Sequence, residues 1–220
     1  QVDGDIKHEN GINNSDLTIK LEQVELKHWQ QYVPQMILDD DFKSWSKAAF
    51  VAGKLTDGDI RIIGNLADFP FEKNTQQGQF DMKLNVADLQ FHYAPDWPDL
   101  KALTGTITGK NNQLDIHSKK GTIAGFNIVE IDTKIQNYIQ GESLLTTEAL
   151  IAGTTQKTLD FLQNSPLKER FGSVADVMTA KGNSDIKLAL KVPLAEPENS
   201  QANGSISFKQ SQLFNPEFPK

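Results

Sequence analysis

Four histidines, two acidic clusters and a complete lack of cysteine bound the chemistry open to this 220-residue chain. The histidines are His8, His28, His92 and His117. No two stand at i, i+4 on a predicted helix, and none joins a nearby carboxylate in a known metal or protease pattern, so each reads as a surface or strand-edge residue. The acidic clusters are Asp39-Asp40-Asp41 and Asp57-Gly58-Asp59. Paired carboxylates can perform acid–base work or hold calcium. The first run, however, precedes a predicted helix, where capping and the helix dipole favour acids. The second reads as an acidic turn before a strand. Neither has EF-hand spacing. Without cysteine there is no thiol nucleophile, disulfide or Cys-ligated zinc. Neither a Gly-x-Ser-x-Gly elbow nor a phosphate-binding loop is present. The sequence therefore assigns no catalytic residue, no metal ligand and no cofactor, and the chain reads as non-enzymatic.

The elements that would position any site read as β-rich. Apolar residues alternate at Leu17, Ile19 and Leu21, at Ile60 and Ile62, and over Phe80, Met82, Leu84 and Val86. Leu89, Phe91 and Tyr93 continue this last run with the phase inverted, which calls for a bulge or tight turn at Ala87-Asp88. Leu103 and Ile107 pair with Leu114 and Ile116 through a hairpin at Gly109-Lys110-Asn111-Asn112. Val129, Ile131 and Ile135, then Leu145, Ala149 and Ile151, precede the cleanest late strand, Ile186, Leu188, Leu190 and Val192.

Helical segments are few. Asp40 or Asp41 caps a helix carrying Phe42, Trp45, Ala49 and Ala52, with Gly53 as its stop. Thr154 or Thr155 caps a second with Leu159 and Leu162. Ser165-Pro166 opens a third with Leu167, Phe171, Val174 and Val177. A short helical turn is expected around Trp29 to Tyr32, before Pro34. Strands arrive in runs without βαβ alternation, which disfavours a parallel doubly wound fold. The expectation is an α+β, mainly β chain of about a dozen strands in one large, curved, mostly antiparallel sheet, roughly 50 Å across. It reads as one unit, 1–220, with a flexible loop over 194–203 and the start of a further strand group over 204–220.

A net charge of −7 and only two arginines, Arg61 and Arg170, exclude the clustered cationic face of a nucleic-acid binder. No stretch approaches the ~18 apolar residues of a membrane span. Gln1 in place of Met and the strand pattern near the C-terminus suggest a piece of a longer chain.

Several short motifs, taken in order, resemble the YhdP branch of the AsmA-like proteins of Gram-negative envelopes. Tyr32-Val33-Pro34 is followed by the Trp45 helix with Ala48-Ala49 and Gly53. Then come Gly58-Asp59-Ile60-Arg61-Ile62-Ile63-Gly64, Asp68-Phe69-Pro70-Phe71, and Tyr93-Ala94-Pro95-Asp96-Trp97-Pro98 after Phe91-His92. Gly121-Thr122-Ile123-Ala124-Gly125, Phe161-Leu162-Gln163-Asn164-Ser165-Pro166-Leu167 and Gly182 ahead of Ile186 complete the series. The resemblance runs from about Tyr32 to the C-terminus.

That resemblance implies a periplasmic segment of an inner-membrane-anchored protein whose β-sheet curls into an apolar groove conducting phospholipid between inner and outer membranes. Phospholipid acyl chains, neighbouring β-segments of the same full-length chain and other envelope proteins would be its partners. The groove-lining residues expected from alternation are Phe80, Met82, Leu84, Val86, Phe91, Ile186, Leu188 and Leu190. The alternative is a non-catalytic structural or docking β-module with a closed core. Alternation alone does not separate the two, because an inward face looks the same whether it packs on helices or on lipid.

Overall fold

The computed structural model describes residues 1–9, 12–32, 40–69, 71, 78–138, 142–169 and 178–215. Ten strands form one antiparallel sheet in which chain order equals spatial order: β1 (Val2–Glu9), β2 (Ile12–Glu25), β3 (Phe50–Asn65), β4 (Gly78–Phe91), β5 (Leu100–Lys110), β6 (Gln113–Ile123), β7 (Phe126–Gln136), β8 (Leu144–Thr154), β9 (Thr179–Pro193) and β10 (Gln201–Phe214). The described residues thus hold ten strands where the sequence suggested about a dozen. Some alternating runs merge into single long strands. Gly58-Asp59-Ile60 and Ile62, for example, belong to the 16-residue β3.

Directly opposed residues of an antiparallel pair share a face, so the register sorts the whole sheet into two faces. Ile60 lies opposite Met82, Met82 opposite Gly109, Gly109 opposite Leu114, Leu114 opposite Ile135, Ile135 opposite Leu145, and Leu145 opposite Val192. One row further in, Gly58, Leu84, Ile107, Ile116, Thr133, Thr147 and Leu190 follow the same course. The next row is Val24, Leu55, Val86, Gly105, Ser118, Ile131, Ala149, Leu188 and Gly204. These rows are apolar with few exceptions. The opposite face carries Asp59, Arg61, Asp81, Lys83, Asp115, His117, Asp132 and Lys134 in register.

Strict alternation would not keep that division. Same-face residues are three apart rather than two at Leu21/Val24, Leu55/Gly58, Val86/Leu89, Leu100/Leu103 and Ile128/Ile131. An extra residue is accommodated at each step. Gln23, Asp88 and Ala102 do so with φ of 53°, 52° and 50°. The phase inversion at Ala87-Asp88 is thus a bulge, as the sequence required. A bulge bends its strand and increases local twist. Here the bulges of β2 to β5 and β7 lie within a few rows of one another, so their bends act on the same region of the sheet. The sheet curls into an open trough whose axis crosses the strands. Ten strands at ~4.8 Å give a trough of roughly 45 Å.

The two rims differ. One carries the longer helical connections: a 3-10 turn (Leu26–Tyr32), helix α1 (Asp40–Ala49), the 92–99 loop and helix α2 (Thr155–Gln163). The other has the two-residue Asn111-Asn112 turn and 3-10 turns at Leu66–Asp68 and Pro197–Asn199. The predicted turn at Trp29 and the Thr154 cap are both present; Thr154 Oγ1 accepts the Lys157 N–H at 3.4 Å. Ser165 Oγ accepts the Leu167 N–H at 3.3 Å and Lys168 and Glu169 are helical, while Phe171, Val174 and Val177 lie outside the described residues. The first helix ends at Ala49, before the predicted stop. Phe50 opens β3, and Gly53 sits inside it at φ +125°, where a Cβ would lie 2.6 Å from the Leu89 Cα. Gly53 therefore serves a bulge and a close strand approach. Asp57-Gly58-Asp59 is likewise mid-strand rather than a turn: Gly58 faces inward under the Leu84 side chain, and both aspartates point to the polar face.

Large side chains lean into other inward glycines. Phe126 is fully buried over Gly153, where a Cβ would come 2.7 Å from the ring; at Gly204 the nearest side-chain atom would be 3.8 Å away. Gly153→Ala should lower stability by about 1–3 kcal/mol through overpacking. Gly204→Ala, next to open space and 3.3 Å from the Lys187 carbonyl, should change it by less than about 1 kcal/mol. Urea denaturation of the two variants checks the contrast.

Candidate functional site

The trough divides into a sealed corner and an open remainder. Where β2 to β5 approach the helical rim, the floor is buried: Val24, Leu26, Leu55, Val86, Leu89, Leu103 and Ile128 form one core cluster. Aromatic rings close it from above. Trp29 meets Phe50 at 5.7 Å, Phe50 meets Phe91 at 5.1 Å, and Trp45 of α1 stands edge-on to Phe91 at 5.8 Å. At the other rim Phe69 packs against Phe80 at 5.2 Å, and buried Phe71 occupies the space above Gly78.

Away from that corner the floor remains half-exposed. Ile60, Met82, Ile107, Ile116, Ile135, Leu145, Leu188, Leu190 and Val192 are all of intermediate burial. At the lateral edges exposure rises to 59% at Ile6 on β1 and 54% at Phe208 on β10. The whole chain exposes 14139 Å². A compact protein of 24.5 kDa exposes about 10,000 Å². The half-exposed floor of an open, curled sheet contributes to that excess.

All eight residues expected to line a groove lie on this inner face. Phe80, Met82, Leu84, Val86 and Phe91 follow one another on β4, and Ile186, Leu188 and Leu190 on β9. They are not equivalent. Phe80 and Val86 are 6% and 5% exposed and sit beneath other protein atoms, whereas the other six are half-buried. Alternation placed the face correctly but carried no information on which rows the helices cover.

Helix α2 is seated on the inner face through hydroxyl groups. Thr158 Oγ1 and Ser184 Oγ lie 2.8 Å apart, and Thr155 Oγ1 and Ser211 Oγ 2.6 Å. The Gln156 side chain accepts the Ala180 N–H at 2.8 Å. Phe161 on α2 reaches Phe126 at 6.4 Å and Trp97 at 6.2 Å, which ties α2 to the 92–99 loop. That loop carries the Tyr-Ala-Pro-x-Trp-Pro motif and is braced at its base. Asp99 accepts from Gln90 Nε2 at 2.7 Å and meets His92 Nδ1 at 2.9 Å. The Gln90 hydrogen bond, then that of His92, holds the Asp99 carboxyl below the usual aspartate range, against a smaller opposing effect of burial. Burial, with the Asp99 charge second, pushes the Tyr93 phenol up to about 12.

The polar face bears cross-strand charge pairs: Arg61 with Asp16 at 3.3 Å, Lys119 with Glu130 at 3.0 Å, and Lys209 with Asp185. His117, Glu130 and Asp132 gather there within reach of a common ion. Their polar atoms already have partners, since His117 Nδ1 meets Asp132 at 2.6 Å and Glu130 pairs with Lys119. Two surface depressions lie off the inner face. One of about 570 Å³ is lined mainly by charged groups of the polar face, including Asp59, Arg61 and Lys83. One of about 540 Å³ lies between Asp96 and the 164–169 segment. Asp57 and Asp59 stand exposed on the polar face of β3. No helix among the described residues is long and apolar enough to cross a membrane.

The apolar trough thus crosses ten strands, with a polar back and one helical rim. The sequence profile of the YhdP protein family matches residues 4–219. The chain belongs to the YhdP family. Among characterised relatives, the Intermembrane phospholipid transporter YhdP of Escherichia coli (strain K12) is 23% identical over 184 residues. That alignment covers 84% of this chain and 14% of the relative, so the chain corresponds to one segment of a much longer protein. No solved structure matches the chain.

The brace at Asp99 makes a titration prediction for this YhdP-family segment. An aspartate whose folded pKa is depressed adds stability above its unfolded value, ~3.9. That stability is lost as pH falls through the folded value. The melting temperature of the native chain should therefore exceed that of Asp99→Asn at pH 5 and above, and the difference should shrink toward pH 2. Thermal melts of both across that range read it directly.

Proposed function

We propose that this chain is a lipid-conducting segment that holds phospholipid acyl chains on the inner face of its curled sheet and lets them move along the trough axis. The observation that carries the reading is the course of half-exposed, largely apolar rows across the strands, from Ile60 and Met82 to Leu190 and Val192. The relative named as an intermembrane phospholipid transporter supports the choice of ligand. Each methylene left in water costs ~0.8 kcal/mol, so a 16-carbon chain costs on the order of 10 kcal/mol when exposed. A continuous apolar floor removes much of that cost at every step of the path. The zwitterionic or anionic headgroup stays in water at the trough mouth. No covalent chemistry is required, and the segment acts without catalysis.

Within the trough we assign the acyl path to Met82, Leu84, Ile186, Leu188 and Leu190. Phe91 borders it beneath Trp45, and Phe80 and Val86 form the wall against which it is built. The unpaired edges of β1 and β10, with Ile6, Ile206 and Phe208 exposed on the inner face, are where neighbouring β-segments of the full-length chain would continue the sheet. The setting is the periplasmic portion of an inner-membrane-anchored protein. A closed structural module would need the outer rows covered; the described helices sit along one rim, and those rows stay half-exposed.

Leu188 offers the cleanest test, because its row neighbours Ala149 and Gly204 are small and leave the floor open around it. Leu188→Asp should reduce retention of a fluorescent diacyl phospholipid by tenfold or more. Lys187→Asp, on the polar face one residue away, should leave retention unchanged. Both should melt within a few degrees of the native chain. Equal retention by the native chain and Leu188→Asp would remove the reading.

A further inference from the structure

The inner face of the described residues carries a few hydroxyl groups, and all but two are bonded to the backbone or to helix α2. Ser15 Oγ donates to the Gly64 carbonyl at 2.8 Å, Ser118 Oγ to the Thr104 carbonyl at 2.8 Å, and Ser184 pairs with Thr158. Thr133 and Thr147 differ. They are directly opposed on β7 and β8, half-buried, and bonded to one another at 2.9 Å. In their row they stand between Ile116 and Leu190. Along their own strands they are flanked by Ile131 and Ile135, and by Leu145 and Ala149. They form a polar step in the middle of an apolar floor.

Hydroxyl valence gives this step a direction. Two threonines bring two O–H donors. Their mutual bond uses one, whichever way it runs. The second hydrogen has no protein acceptor among the described residues, and it belongs to a group that the trough leaves accessible. A lone hydroxyl on an apolar path would add a desolvation cost to every passing lipid. A paired one presents a single donor and leaves little else to satisfy.

We propose that the Thr133–Thr147 pair is a binding site for the ester carbonyl of a diacyl lipid, donating one hydrogen bond to it where the acyl chain joins the glycerol. The site deepens the lipid-conducting reading and rests on it. Its chemistry selects ester-linked over ether-linked chains, since an ether oxygen is a poorer and less accessible acceptor than a carbonyl. It also gives the path a register point at which a moving lipid pauses.

The test is native mass spectrometry of the chain after incubation with an equimolar mixture of a di-ester phosphatidylcholine bearing two 16-carbon chains and its di-ether analogue. The native chain should retain the ester lipid in roughly fivefold excess, the range set by one hydrogen bond. The double variant Thr133→Val with Thr147→Val keeps the β-branched shape and should retain both lipids equally. Thr133→Ser with Thr147→Ser restores the hydroxyls and should restore the preference. Equal retention of both lipids by the native chain, or an ester preference that survives the double valine variant, overturns this proposal alone. Retention of neither lipid by the native chain overturns it together with the reading on which it rests.

Discussion

Everything in this molecule depends on strand parity. A meander of ten antiparallel strands has two faces, and one unmatched residue in any strand would exchange its apolar and polar sets. The chain contains such residues in at least five strands, and each is taken up as a bulge. Val86 and Leu89 remain on one face because Ala87-Asp88 bulges; Leu100 and Leu103 do so because Ala102 adopts φ 50°. The same bulges that preserve the division of faces also bend the sheet. Apolar continuity and curvature thus have a single structural origin, and the trough follows from both.

A trough has to be open to accept a ligand and closed enough to hold its own shape. The helices resolve this by covering one corner. The stack of Trp29, Phe50, Phe91 and Trp45 rings over the Leu55, Val86, Leu89 and Leu103 floor supplies a packed core for β2 to β5. The later strands lean on α2, which is seated by the Thr155–Ser211 and Thr158–Ser184 hydroxyl pairs at the rim. Among the described residues, the remaining floor is half-exposed. On the back, charge pairs such as Arg61–Asp16 hold register while keeping that face wet; exposed pairs of this kind add little net stability.

The sequence made the strands and their inner face legible, because period-two alternation is strong in β4 and β9. It revealed one bulge, at Ala87-Asp88, where the phase visibly inverts. It concealed those at Gln23, Ala102 and Thr56, where small or polar neighbours mask the slip. Gly53 and Gly58 misled for a related reason: glycine marks positive φ or close approach as readily inside a bulged strand as at a helix stop or a turn. The covering of Phe80 and Val86 was not legible, since it depends on where Phe69, Phe71, the 26–32 turn and helix α1 sit. Thr133 and Thr147 were readable as polar residues on an apolar parity, but their pairing required the β7–β8 register.

Lipid conduction along the trough depends on where acyl chains contact the protein. The most direct measurement is photo-crosslinking with a phospholipid that carries a diazirine on one acyl chain, followed by mapping of the adducts by peptide mass spectrometry. Adducts concentrated at Met82, Ile186, Leu188 and Leu190, and absent from Lys83, Lys187 and the rest of the polar face, are the predicted result. Adducts distributed over both faces, or none above background on the inner rows, would contradict it.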